Sequence, residues 1–244
     1  MELREFRAEL PSTQTEAVRH AREGAAAGAR VVARRQSAGR GRGGHGWASP
    51  EGNLYLSMIF RAPIENRTLL PLAVGARLRS ALERRFQVRS VLKWPNDLLV
   101  LGNGPPRKLA GILVDAVPSP TLGVAAVVGM GVNVRAASES YPREVRARVV
   151  SLGELMPSPP DLMDVEEVAA AAAASAVASV ATPSGAAEIL GECRSALHGV
   201  GLHATVDATL TGVIRTLGEE GELWLDTPSG AVAIRSGDLV VEEA

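Results

Sequence analysis

Only one cysteine, Cys193, stands in this chain of 244 residues. That excludes an intramolecular disulfide and a cysteine-rich metal site. Aromatic side chains make up 3% of the residues, too few for a platform on which many bases stack. No sign of charge dominates. The 26 Lys and Arg face 27 Asp and Glu, a net of −1, whereas general polyanion or membrane-surface binders carry a basic excess. Long hydrophobic runs are also missing: the alanine-rich stretch 168–181 is too short to span a bilayer. The start, MELREFRAEL, has no apolar core and does not read as a secretory leader. A soluble cytoplasmic protein is expected, with no membrane partner. Lysine itself is scarce. Of the 26 basic residues, 24 are Arg, and the two lysines are Lys93 and Lys108.

What is present is enough to fold. The hydrophobic fraction of 46% can fill a sizeable core over one or two domains. Thr13-x-x-Glu16 fits a capping box, and good helix formers continue over 14–28. Residues 30–35 and 53–61 read as strands, and 68–86 carry apolar positions at helical spacing. Three strands are expected at 89–94, 97–101 and 108–117, the last two joined by the turn 102–106, and a fourth at 122–134. Residues 161–181 and 185–197 read as helices. From about residue 199 the pattern becomes short alternating segments broken by Gly-Glu-Glu-Gly, Thr-Pro-Ser-Gly and Ser-Gly-Asp, a small five-strand β module. This order argues for an α+β fold rather than a doubly wound sheet.

Between two apolar strands lies GRGRGGHGW, residues 39–47. Gly39-x-Gly41-x-x-Gly44 matches the dinucleotide fingerprint in letters alone, because Trp47-Ala48-Ser49-Pro50 cannot continue the helix that fingerprint needs. A Walker loop would need Gly-Lys-Ser/Thr, and no lysine is near. An RNA-tethering RGG segment or a plain surface loop are the other readings. The chemical reading is anion binding: glycines free backbone N–H groups, and Arg40 and Arg42 add fixed, planar donors suited to phosphate. Fixing so glycine-rich a loop costs entropy, so it is expected to order on binding. The histidines show no metal spacing, and His20, His198 and His203 read as surface or structural. Cys193 reads as a helix-packing residue.

Five motifs stand in order: Ser12-Thr13-Gln14; Gln36-x-x-Gly-Arg-Gly-Arg with Trp47; Lys93-Trp94-Pro95-Asn96-Asp97; Lys108-Leu-Ala-Gly111-Ile-Leu-Val-Asp115; and Gly129-x-Gly131-x-Asn133-Val134. Together they resemble the biotin–protein ligases over essentially the whole chain. The resemblance implies an α+β catalytic domain on a mixed sheet, like class II aminoacyl-tRNA synthetases, over 1–198. A small SH3-like C-terminal β-barrel would follow over 199–244. It implies two reactions. Biotin, the substrate, and ATP with Mg²⁺ give biotinyl-5′-AMP; a lysine of a biotin carboxyl carrier protein domain then takes the biotin and releases AMP.

Carried over, the biotin contacts are Ser12, Thr13, Gln14, Gln36, Gly39, Arg40, Gly41, Arg42, Lys108 and Gly111. The nucleotide contacts are Arg40, Arg42, Trp47, Asn96, Asp97 and Asn133. Lys108 and Arg40 are the implied catalytic pair. A mobile ammonium and a fixed guanidinium suit the charge that develops on the α-phosphate and pyrophosphate. Asp97 could hold Mg²⁺, or serve only as a turn residue; Trp94 reads as core. Lys93 is read as structural, pairing with a nearby carboxylate. The chain departs from the family's usual pattern at Pro11, Gln14 and His45, the last replacing an arginine. The Ser-Thr motif begins at residue 12, leaving no room for a helix-turn-helix domain, so no DNA partner is expected. The alternatives are a lipoate-type ligase or a non-enzymatic nucleotide- or RNA-binding protein.

Overall fold

A computed structural model describes residues 3–60, 68–120 and 123–242. Strands β1 (Arg4–Leu10), β2 (Arg30–Gln36), β3 (Leu54–Phe60), β4 (Val91–Lys93), β5 (Asp97–Val100), β6 (Arg107–Ser119) and β7 (Gly123–Val132) form one sheet, ordered β1-β2-β3-β7-β6-β5-β4. The β1–β2 pair is parallel and the other pairings are antiparallel, so the sheet is mixed. Helices α1 (Thr13–Arg22), α2 (Leu69–Phe86), α3 (Arg143–Arg146), α4 (Leu152–Leu155), α5 (Leu162–Val180) and α6 (Pro183–Ala196) surround it. Strands β8 (His203–Val206), β9 (Leu210–Leu217), β10 (Leu223–Thr227), β11 (Gly230–Ile234) and β12 (Leu239–Val241) form a second, antiparallel sheet, ordered β11-β10-β9-β8-β12. The α+β expectation holds. Among the described residues no helix is long and apolar enough to cross a membrane.

The two-residue period of the strands explains how the sheet divides its faces. Leu54, Leu56, Met58 and Phe60 of β3, Ala110 and Ile112 of β6, and Ala126, Val128, Met130 and Val132 of β7 join the main apolar cluster under α2, α5 and α6. The alternate residues point the other way. At one end, Ile59, Val117, Ala125 and Val127 pack beneath Ala17 and Ala21 of α1. At the other end of that face stand Tyr55, Ser57, Gly111, Gly129 and Gly131, reached only by the first turn of α1 at Ser57 and Gly129, and these line a cavity. The main cluster continues into the second sheet through Ile214, Leu217, Leu223 and Leu225.

The sequence reading differs from the structure at β1, at the end and cap of α1, and at the short helices α3 and α4, which it does not contain. Strand β1 is not foreseen, because its residues REFRAEL lack an apolar face. It is held by the parallel ladder to β2 and by ion pairs such as Arg4–Glu166 at 2.7 Å. Helix α1 stops at Arg22 rather than running to residue 28, since Gly24 adopts a left-handed φ of 89° and the chain must turn back into β2. Its cap is Ser12, whose side chain accepts from Thr15 N, whereas the Thr13 hydroxyl is drawn away to Gln36 and Ser57. Arg61 and Leu122, outer residues of two expected strands, lie outside the described residues.

Candidate active site

The floor is the open end of the sheet. Helix α1 brings its first turn to one rim, β2 ends there at Gln36, and the loop 37–53 folds over the top. Ser12, Thr13 and Gln14 are buried; Ser12 caps the helix, while Thr13 and Gln14 join one hydrogen-bond network. Gln36 Oε1 accepts from Thr13 N at 2.8 Å and from Thr13 Oγ1 at 3.2 Å. Ser57 Oγ lies 3.0 Å from Thr13 Oγ1 and donates to Gln14 Oε1 at 3.0 Å. Gln14 Nε2 donates to Val127 O at 3.0 Å and to Asp115 Oδ2 at 3.3 Å, and Arg40 donates to the same carboxylate oxygen at 3.1 Å. Such a satisfied network holds its members in one geometry, which suits recognition of a polar ring.

Ser12, Thr13, Gln14, Gln36, Arg40 and Ser57 line a cavity of about 200 Å³, together with Arg42, Trp47, Asn96, Asp97, Lys108 and Gly111. A second chamber of about 540 Å³ adjoins it, lined by Lys93, Asn133, Tyr141, Arg148, His198 and Val240 among others. Gly46, Trp47, Asp97 and Lys108 border both. The junction is therefore built from an aromatic ring, a carboxylate and an ammonium. Lys108 Nζ pairs with Asp97 Oδ1 at 2.8 Å and sits 4.7 Å from the centre of the Trp47 ring. A cation over an indole face is attracted by the ring's quadrupole. The indole presses on the glycines of β6 and β7: a Cβ on Gly111 or Gly131 would stand 2.6 Å from its ring atoms. Trp47 Nε1, which lies against Gly131, is buried without a hydrogen-bond partner.

The second chamber is electropositive. Lys93 on β4 is in register with Asp97 on β5. Burial lowers its pKa below the usual lysine range, with Asp97 opposing the shift and Lys108 adding to it. Its expected carboxylate neighbour is thus Asp97, although the tight ion pair of that residue is with Lys108. Asn133 is buried; it donates to Lys108 O at 3.0 Å and accepts from Tyr141 Oη at 2.9 Å. Burial pushes the Tyr141 hydroxyl up to about 12, so it remains a donor at neutral pH. Asn96 clamps β6, with Nδ2 donating to Ile112 O at 2.7 Å. Trp94 is core, as expected: it is buried, and Nε1 donates to Gly221 O at 3.1 Å.

Of the residues singled out from sequence, Gly39 stands apart from the first cavity, packed against Trp47 O at the base of the loop. Arg42 meets the second sheet, donating to Gly237 O and to Asp238 Oδ1 at 3.1 Å. His45 pairs with the other oxygen of Asp238 at 3.0 Å. Sequence reasoning left Ser57, Asp115, Gly129, Gly131, Tyr141 and Asp238 unassigned. Ser57 had a signal, as the one aliphatic hydroxyl in the apolar run LYLSMIF, and Asp115 closed a quoted motif. Asp238 had none.

Comparisons with known proteins agree with this arrangement. The model of the biotin/lipoate A/B protein ligase family matches residues 7–133. Over 243 residues the chain is 30% identical to the biotin--[acetyl-CoA-carboxylase] ligase of Mycobacterium tuberculosis, covering 96% of this chain and 86% of that protein. It is 28% identical over 235 residues to the bifunctional ligase/repressor BirA of Bacillus subtilis, covering 94% and 71%. Among solved structures, biotin protein ligase from Aquifex aeolicus in complex with biotin and ATP superposes with a TM-score of 0.84 at 27% identity, covering 100% of both chains.

Proposed function

The chain belongs to the biotin/lipoate A/B protein ligase family, and from that premise we propose that it activates biotin with ATP and transfers it to a carrier-domain lysine. The observation that carries the reading is the junction of the two chambers at Lys108, Trp47 and Asp97. One chamber is small and rimmed by neutral amides and hydroxyls, as a ureido ring requires. The other is larger and basic, as a nucleotide requires. Their common wall is where a carboxylate and an α-phosphate would meet. The relative matched at 30% identity over 96% of the chain is a biotin--[acetyl-CoA-carboxylase] ligase rather than a lipoate ligase.

In the first step a biotin carboxylate oxygen bonds to the α-phosphorus and the bond to the pyrophosphate breaks. Lys108 and Arg40 stabilise the charge that gathers on the oxygens in flight. Trp47 and the loop exclude water that would hydrolyse the mixed anhydride. In the second step the acceptor amine, having lost a proton, attacks the acyl carbon and AMP leaves. Phosphate-bound Mg²⁺ uses one or two protein carboxylates. Asp97, at the border of both chambers, fits that need and would hold the ion, which screens the triphosphate charge. The carrier lysine is read as belonging to the biotin carboxyl carrier domain of an acetyl-CoA carboxylase, a cytoplasmic partner. We read 1–198 as the catalytic unit and 199–244 as an SH3-like appendage.

The test is ATP–pyrophosphate exchange with the purified protein. Exchange is expected to depend on added biotin. Exchange that ignores biotin, or responds to lipoate instead, overturns the reading.

A further inference from the structure

The Gly/Arg loop is tied at three levels. At its base Trp47 N donates to Gly39 O at 2.8 Å. Midway Arg40 pairs with Asp115, and Gly41 N donates to His45 O at 2.7 Å. At its tip one carboxylate, Asp238 of the second sheet, takes Arg42 on one oxygen and His45 on the other, while the carbonyl of Gly237 takes Arg42 as well. These tip partners lie 195, 196 and 193 residues away in sequence.

The turn that presents Asp238 is itself fixed. Asp238 N donates to Asp207 Oδ1 at 2.7 Å, and Asp207 N donates back to Asp238 O at 3.0 Å. Gly237 holds a φ of 147°, and a Cβ there would stand 2.4 Å from Val206 Cγ1. A rigid turn thus offers three acceptor oxygens to a loop rich in glycine. Among the described residues, Asp238, in the turn between β11 and β12, is the residue beyond 199 that lines the first cavity.

We propose that Asp238 is a positioning residue. Through Arg42 and His45 it holds the Gly/Arg loop closed over the cavity before either substrate arrives, so that the C-terminal sheet sets the affinity of a site it does not catalyse. This deepens the ligase reading and rests on it. A glycine-rich loop free in solution samples many shapes, and a substrate that needs one of them binds more weakly by the fraction in which that shape occurs. Anchoring the tip raises that fraction. It acts on apparent affinity and leaves the saturated rate unchanged. The Arg42 guanidinium has five donors, so the anchor and a phosphate can share it.

The test has two arms. Ligand-free protein is digested briefly with trypsin, which cuts after Arg40 and Arg42, and with chymotrypsin, which cuts after Trp47; fragments are identified by mass. Asp238→Asn is expected to speed both cuts several-fold while the melting curve stays cooperative. Asp238→Glu is expected to restore part of the protection. His45→Gln, which leaves the Asp207–Asp238 turn intact, is expected to loosen the loop alone and to add little on top of Asp238→Asn, as contacts to one shared group are not additive. In biotin-dependent exchange, Asp238→Asn is expected to raise KM for biotin and ATP roughly five- to tenfold with kcat within about twofold. Loop cleavage and KM equal to wild type overturn the proposal. So does a fall in KM, which would make Asp238 a competitor of phosphate for Arg42. Wild-type protein without biotin-dependent exchange overturns the ligase reading instead, and the proteolysis arm still reports on the anchor.

Discussion

Lys108 and Asp97 form an ion pair of 2.8 Å between strands β6 and β5, and both residues border the two chambers. The bulge between Leu98 and Leu99 makes this possible, since it brings Asp97 opposite Gly111 and Leu99 opposite Lys108. The carboxylate holds the ammonium at the junction without enclosing it, as the Lys108 side chain keeps 30% of its exposure. Lys108→Ala is therefore expected to lower biotin-dependent exchange roughly 10²- to 10³-fold, in the range for removal of one group that stabilises developing charge. The melting temperature should change little. Near-wild-type exchange would remove Lys108 from the chemistry.

Gly131→Ala places a methyl within 2.6–2.8 Å of three Trp47 ring atoms. The indole must move, and with it the wall between the chambers. We expect KM for ATP to rise by about tenfold or more, with a stability loss of about 1–3 kcal/mol, typical of overpacking. Exchange kinetics and a urea titration check both. An unchanged KM would mean that the position of the indole does not matter to the nucleotide.

Tyr141→Phe deletes a hydroxyl that accepts from Asn53 Nδ2 at 2.6 Å and donates to Asn133 Oδ1 at 2.9 Å. Asn133 in turn braces the Lys108 carbonyl. Two buried partners lose a bond, so a cost of about 1–3 kcal/mol is expected in denaturant unfolding. A variant as stable as wild type would show that the network contributes nothing net.

Lys93 gives a pH signature. Its pKa is lowered in the folded protein, chiefly by burial. Below the folded value both states hold the proton, and folding carries the full penalty of a buried ammonium. As pH rises from the folded value towards the ordinary lysine value, the unfolded state binds more protons and stability increases. Lys93→Met removes the group. The variant is expected to exceed wild type in stability near neutral pH, with the gap closing as pH approaches roughly 10. Paired urea titrations across that range measure it, and a gap independent of pH would contradict it.

Proteolysis within residues 39–52 should slow further when biotin and ATP are both added. The substrates would recruit Arg40 and Trp47 in addition to the tip contacts. Cleavage rates that ignore both ligands would argue that the loop does not close on them.

Much of the site is legible in the sequence because its parts are local. Helix α1 begins at Ser12-Thr13-Gln14, the loop is contiguous, and Lys108 with Gly111 lies on one strand face at a spacing of three, made compatible by the neighbouring bulge. Strands β2, β3, β6 and β7 and helices α2, α5 and α6 follow from apolar periodicity within a residue or two at most ends. Strand β1 was illegible for a physical reason. An edge strand buries little, so its residues can be charged, and its stability comes from a ladder and from Glu166, which is 162 residues away.

The sequence by itself determined the family, the α+β order of elements and the residue types that meet a carboxylate and a phosphate. It did so because hydrophobic period, glycine spacing and side-chain chemistry are written residue by residue. Only the tertiary structure decided that Asp97 belongs to Lys108, that Trp47 lies on Gly111 and Gly131, and that Asp238 holds the loop tip. Such pairings depend on strand register and on the packing of one sheet against another. Those are set by the whole core at once, and no local pattern records them.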